Sequence, residues 1–285
     1  MVSKRSRRRA ITTFNRKIDG LTSPCPQNAA NLFSFFSAQY VDLPNLTWAS
    51  LRGDYKHVYS ALTSGEKFFI DDDGSFYCTN AGVSSSYGTG PVVTPTTDIL
   101  MLVSGKLSKY PEDTGESPTI SYRFNDAVNG LQAIKVRIFA NPDNANASYI
   151  ADQVGDDLGN EAGPNGATTL QRHGTNDDTV YTLAAAWDRS AGTWNILTYN
   201  VTNGVIVDDT INDISYITGT VTMRSNGEAS SFTASSSTLI GRFFAAGLWL
   251  FPNNSLPSDW KEASIGMGTD WANLKFKLWD AWGTE

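Results

Sequence analysis

Cysteine, histidine and long apolar runs are all scarce in this chain, and each shortage removes a class of function. The two cysteines, Cys25 and Cys78, are too few for a disulfide framework, and neither sits in a C-x-x-C or similar zinc spacing. They read as ordinary thiols of a chain folded in a reducing cytoplasm. The two histidines, His57 and His173, lie far apart in sequence and have no Cys or carboxylate at ligand spacing. A zinc centre or a Ser-His site therefore has little to build on. No segment approaches the roughly 18 apolar residues needed to cross a bilayer, so a soluble protein without membrane contact is expected. Repeats, heptads and low-complexity tracts are missing as well, which argues against a fibrous shaft.

What remains is the balance of a turn-rich β protein: 40% hydrophobic and 18% charged residues, with 24 glycines among many Ser, Thr, Asn and Asp. All-β domains often run past 200 residues as one unit, so the 285 residues are read as one body with appendages. Charge is unevenly placed. Lys4, Arg5, Arg7, Arg8, Arg9, Arg16 and Lys17 precede the first acidic residue, so against a net charge of −7 the rest of the chain carries −14. An acidic body repels phosphate backbones, leaving nucleic acid an improbable partner, whereas the cationic segment suits an acidic protein surface. Ser6-Arg7-Arg8-Arg9 resembles a twin-arginine export signal, but the residues after it hold no apolar stretch. An export signal is not expected.

Three segments are expected. Residues 1–30 read as an extended basic anchoring arm, with Pro24 and Pro26 forbidding a helix. Residues 31–255 read as a β-sandwich. Within them, Lys67 to Ile70 and Ser75 to Thr79 form a hairpin across Asp71-Asp72-Asp73-Gly74, and Ile99 to Val103 is a strand apolar on both faces. Residues 131–139 alternate as a half-solvated strand; further strands follow at 179–187, 193–199, 204–208, 219–224, 237–243 and 246–251. Two stretches, 109–118 and 141–178, read as long loops, the second a candidate binding surface. Residues 256–285 read as a short helix, with Ser258 as N-cap, and a Trp-rich tail packed on the sandwich or on a partner.

Ser37-Ala38-Gln39-Tyr40-Val41-Asp42-Leu43-Pro44 is similar to the opening strand of concanavalin A-like, laminin G-type domains. Trp187-Asp188 with Trp194 to Asn200 and Asn203-Gly204 resembles their central hairpin. Leu239-Ile240-Gly241-Arg242, then Gly247 to Trp260, resembles their closing pattern. The resemblance implies an all-β antiparallel jelly-roll β-sandwich. The arm, the 141–178 insertion and the Trp-rich tail depart from the pattern and make the chain look like the versions carried on bacteriophage virions.

Glycan hydrolases of that superfamily set Glu-x-Asp-x-Glu on one strand, so that alternation points the carboxylates into one groove. That motif is absent: of the seven glutamates only Glu112 and Glu116 have the spacing, and Pro111, Gly115 and Pro118 put them in a loop. No catalytic residue is assigned. Acidic clusters at Asp71-Asp72-Asp73, Asp152 with Asp156, Asp157 and Glu161, Asp177-Asp178 and Asp208-Asp209 leave calcium open, although none has the alternating Asp-x-Asp-x-Asp-Gly order. The residues picked for glycan contact are Asp156, Asp157, Asn160, Asp177 and Asp178. Trp249, Trp260 and Trp271 are expected to seal the sandwich, and Trp279 and Trp282 to serve a subunit interface. Short matches to an integrin tripeptide, Arg52-Gly53-Asp54, and to glycan acceptors are set aside as chance.

The reading is a non-catalytic virion structural protein: a surface-exposed, lectin-like adhesin held to the particle by its arm, recognising host surface glycans. The alternative is a capsid or tail decoration or cement protein. A jelly-roll shell protein and a glycan hydrolase rank lower. Other virion proteins are the expected partners through arm and tail, in a homo-oligomer.

Overall fold

The run Thr97-Asp98-Ile99-Leu100-Met101-Leu102-Val103-Ser104-Gly105-Lys106 is buried at every position. A strand apolar on both faces needs a covering layer on each side, and the computed structural model supplies two. It describes residues 31–272 except 39–40, 43–44, 46, 51–55, 59–67, 71–72, 79–84, 88–89, 107–118, 126–127, 129–131, 141–147, 164–178, 212, 224–229 and 232–240.

The strand is β9 (Thr97–Lys106), and it lies inside an eight-stranded sheet. The order is β16 (Val205–Ile211), β15 (Thr193–Asn200), β14 (Val180–Asp188), β9, β19 (Gly241–Pro252), β6 (Phe76–Cys78) and β5 (Phe68–Ile70). The far edge of β19 is shared: β6 takes Gly241 to Phe243, and β1 (Leu32–Ser37) takes Ala245 to Trp249. A second sheet runs β13 (Glu161–Ala162), β12 (Ser148–Gly155), β11 (Gln132–Ala140), β10 (Thr119–Asn125) and β18 (Ser230–Ser231). Two small sheets flank them: β2 (Val41–Asp42), β3 (Thr47–Ala49), β4 (Lys56–Val58) and β7 (Ser85–Tyr87), and the pair β8 (Val92–Val93) with β17 (Val221–Thr222). The pairings in all four sheets are antiparallel.

Alternation sorts the two faces. Ile99, Met101 and Val103, with Tyr181, Leu183, Trp187, Trp194 and Ile196, meet Tyr122, Phe124, Ile134, Val136 and Val154 of the second sheet. Leu100, Leu102, Ala184, Ala186, Leu197 and Trp249 point the other way, under the helix α1 (Trp260–Ala272). Between Phe243 and Ala245 the register of β19 shifts. That bulge turns both Phe244 and Ala245 toward the helix side.

Trp260, Ala263, Ser264, Met267, Gly268 and Trp271 are buried at the 3-4 spacing of one helical face. The Trp271 ring packs tilted against Phe35 of β1, centroids 5.5 Å apart, and Lys261 Nζ reaches Asp208 Oδ2 of β16 at 2.6 Å. The helix amide of Ala263 donates to the Asp259 carbonyl, so Asp259 takes the N-cap place expected of Ser258. Trp249, Trp260 and Trp271 do seal the sandwich, in the layer between sheet and helix.

Two expectations are corrected. The stretch 141–178 is not one loop: it contains β12, which pairs with β11 from Ile134↔Val154 to Ala140↔Ser148 and sends Val154 into the core. The expected break between 243 and 246 is also absent, because small residues Ala245 and Ala246 continue β19 between its neighbours β9 and β1. The 68–78 and 180–200 hairpins form as read. The arm at 1–30, the 109–118 loop, Cys25, His173, Asp177, Asp178, Trp279 and Trp282 lie outside the described residues.

At the far end of the sheet Lys106 and Arg242 face each other across β9 and β19, both largely buried. Like charges at such a pair repel. Asp73, in the β5–β6 turn, lies 2.6 Å from Lys106 Nζ and 4.0 Å from Arg242 Nη1. Burial alone would raise its carboxyl, but bonds from Lys106 and from Ser75 outweigh that and hold it below the ordinary 3.8. A carboxyl depressed by folding adds stability above its unfolded pKa and loses it as pH falls through the folded one. Asp73→Asn is therefore expected to be less stable than wild type in urea at neutral pH, with the gap closing in acid.

Close approach leaves no room at Gly268: an added Cβ would overlap Thr182 Oγ1 and come within 2.7 Å of Thr182 Cβ on β14. Overpacking of this kind costs about 1–3 kcal/mol, more than the roughly 1 kcal/mol that alanine gains over glycine within a helix. Urea unfolding of Gly268→Ala should show a net loss.

Candidate binding site at the loop end of the sandwich

At the end where β9 and β15 begin and β12, β14 and β19 finish, five turns meet: 94–96, 156–160, 189–192, 213–220 and 253–259. Turns have few backbone partners of their own, so buried donors must be satisfied by side chains. Aspartates do this here.

Asp156 is 2% exposed. Its Oδ1 accepts from the amides of Leu158 and Asn160, both at 3.0 Å, and from Asn160 Nδ2 at 3.2 Å. Oδ2 accepts from Asn160 Nδ2 at 3.1 Å and from the Gly219 amide at 2.7 Å, in a different turn. Gly219 is required there, because a Cβ would sit 2.8 Å from Asp156 Oδ2 and 2.9 Å from Leu158 Cγ. Asp157 repeats the device: its amide donates to the Thr220 carbonyl at 2.8 Å, and its carboxylate accepts from Thr222 N and Oγ1, each at 2.7 Å.

Asp98, 1% exposed at the start of β9, joins two further turns. It accepts from the Arg189 amide at 2.8 Å and the Leu256 amide at 3.0 Å. Burial pushes its carboxyl above the ordinary aspartate value; the charge of Asp188 adds to this, and the two amides with Arg189 oppose it.

Arg189 is the cation of the site. Its guanidinium lies 4.2 Å over the Trp187 ring, and Nη2 donates to the Gly219 carbonyl at 2.6 Å. Burial lowers its pKa, while the negative charges of Asp156 and Asp98 raise it. Gly219 is thus held from both sides, its carbonyl by Arg189 and its amide by Asp156. The Tyr216 hydroxyl donates to the Glu161 carbonyl at 2.9 Å, and the Ile214 amide to the Gly192 carbonyl at 2.9 Å.

Asp156, Asp157 and Asn160 are therefore brought together, but as a brace. The Asp156 carboxylate points inward and is occupied by the protein's own donors. Asp156 does not fit a calcium ligand, because its two oxygens are taken by donors of Leu158, Asn160 and Gly219. Among the described residues no group of three or more His, Cys, Asp or Glu is arranged to hold a metal, and no helix is long and apolar enough to cross a membrane.

Arg189, Asp98, Leu158 and Tyr216 were not singled out from sequence. Asp188-Arg189-Ser190-Ala191-Gly192 reads as a turn, and nothing local shows that Arg189 reaches Gly219. The one available signal was that Arg189 is the sole cation on turns rich in aspartate.

An amide at position 156 would turn an NH2 group toward donors it now accepts from. Hydrogen bonds to a charged acceptor are worth about 1.5–3 kcal/mol, so Asp156→Asn is expected to lose about 2–3 kcal/mol in urea unfolding.

No family model matches the sequence, and no curated protein does either. Solved structures are similar in outline. A seed lectin of Lotus tetragonolobus is 11% identical, covering 77% of this chain and 98% of its own, at a TM-score of 0.42. The CBM2 module of the evolved Dit of Lactobacillus casei BL23 phage J-1 is 13% identical over 68% and 83%, at 0.39. An alginate lyase of Klebsiella pneumoniae is 8% identical over 67% and 86%, at 0.38. At such scores a likeness decides nothing about what this chain binds or whether it has an activity.

Proposed function

We propose that this chain is a non-catalytic virion structural protein that works as a surface adhesin, its basic arm joining the particle and its sandwich presenting the loop end to host glycans. The observation that carries this is the use of the buried carboxylates. A glycosidase keeps a carboxyl pair directed into a groove, whereas Asp98 and Asp156 are committed to backbone amides of neighbouring turns. Turns fixed in this way lose little freedom on binding, which favours recognition.

The charge partition favours a second reading. An arm of seven cations and a remainder at −14 are complementary between copies, as a decoration or cement protein in a homo-oligomer requires. In both readings residues 1–30 are the anchoring arm, 31–255 the sandwich and 256–285 the helix with a tail whose Trp279 and Trp282 meet a partner.

Removal of residues 1–24 should leave a folded, soluble body that no longer joins its assembly; an unfolded product would refute the division of labour. The same body should bind whole host cells saturably if the adhesin reading holds, and should not if the role is architectural.

A further inference from the structure

We infer that Tyr216, Leu158 and Val92 form the contact platform for a neutral saccharide. This rests on the adhesin reading and names its site. Single exposed apolar side chains are ordinary on a protein surface. Here three of the six large exposed ones in the described chain, Leu158 at 70%, Val92 at 61% and Tyr216 at 53%, belong to neighbouring, cross-linked segments. Leu158 lies over Gly219, where an added Cβ would be 2.9 Å from its Cγ. Tyr216 comes from the same turn as Gly219, and its hydroxyl is tied at 2.9 Å to Glu161, three residues after Leu158. Val92 pairs with Thr222, whose amide and hydroxyl Asp157 holds.

Size and charge decide the occupant. None of the three side chains is larger than an aromatic one of about 150–250 Å², and each is only partly exposed, so together they make a patch of at most a few hundred Å². That is well short of the ~800 Å² per partner of a stable protein interface and suits one or two sugar rings. A pyranose has an apolar C–H face to lay on the Tyr216 ring and hydroxyls for the polar rim. The surrounding turns and strand ends carry Asp157, Glu161, Asp188 and Asp213, and Arg189, the one cation on the five turns, is taken up by Trp187 and the Gly219 carbonyl. Such a surface repels sialylated, sulfated or uronic glycans. The ligand is a neutral hexose or N-acetylhexosamine chain.

The full-length protein is applied to an array of neutral and acidic oligosaccharides, and the best ligand is titrated against Tyr216→Ala, Leu158→Ser, Tyr216→Phe and, as a control, Ile206→Ser on β16. The inference expects a neutral ligand, about tenfold weaker binding for the first two variants, and unchanged binding for Tyr216→Phe, which keeps the ring, and for the control. All three site positions are exposed, and thermal unfolding confirms that each variant is folded. Neutral-glycan binding that ignores Tyr216 and Leu158 overturns the platform and leaves the adhesin reading standing. Binding to acidic glycans alone overturns the assignment of ligand. Saturable binding to host cells with no glycan bound, as a protein receptor would give, overturns the inference and the glycan part of the adhesin reading together.

Discussion

Burial of β9 on both faces is the constraint from which the rest of the structure follows. Ile99, Met101 and Val103 on one side and Leu100 and Leu102 on the other are all removed from water. A single sheet over a single core would leave one of these rows wet, at about 25 cal/mol for each Å² of apolar surface. The second sheet covers one row and α1 covers the other. This explains why a short helix with only one strongly apolar stripe is retained at the end of a β protein. It also explains why β14 and β19, the neighbours of β9, carry runs such as Ala184-Ala185-Ala186 and Ala245-Ala246, whose small side chains admit layers on both sides.

Charge enters this scaffold at two ends in two ways. At one end Asp73 pairs with Lys106 and lies near Arg242, offsetting part of the charge that the register of β9 and β19 brings into opposition. At the other, Asp98, Asp156 and Asp157 serve as acceptors for turn amides, with the Arg189 guanidinium laid among them. A covalently attached cation does there what a bound ion does in other loop sites: it offsets carboxylate charge and fixes two turns relative to each other. The outcome is a set of cross-braced turns in which the two buried carboxylates, Asp98 and Asp156, are directed inward at donors.

Much of this was legible in the sequence where the signal is local. Asp71-Asp72-Asp73-Gly74 between two apolar bursts marks the β5–β6 hairpin, and Arg189-Ser190-Ala191-Gly192 marks the β14–β15 turn, with Gly192 at a φ of 63°. The double-sided run at Ile99 to Val103 announces a middle layer. β12 was lost because Asp152 interrupts the alternation between Ile150 and Val154 amid Asn- and Gly-rich surroundings. The loop brace was illegible for another reason: Asp98 meets Leu256 and Asp156 meets Gly219 across separations that only the folded topology creates. An aspartate in a turn looks the same in sequence whether it faces water or another loop.

The claim that this loop end is built before any ligand arrives is tested most directly by native-state hydrogen exchange of the free protein, read at the amides of Leu158, Asn160, Gly219 and Thr222. Each donates to a buried or half-buried aspartate, so protection approaching that of β9 is expected. Exchange at the rate of an open loop would contradict the account.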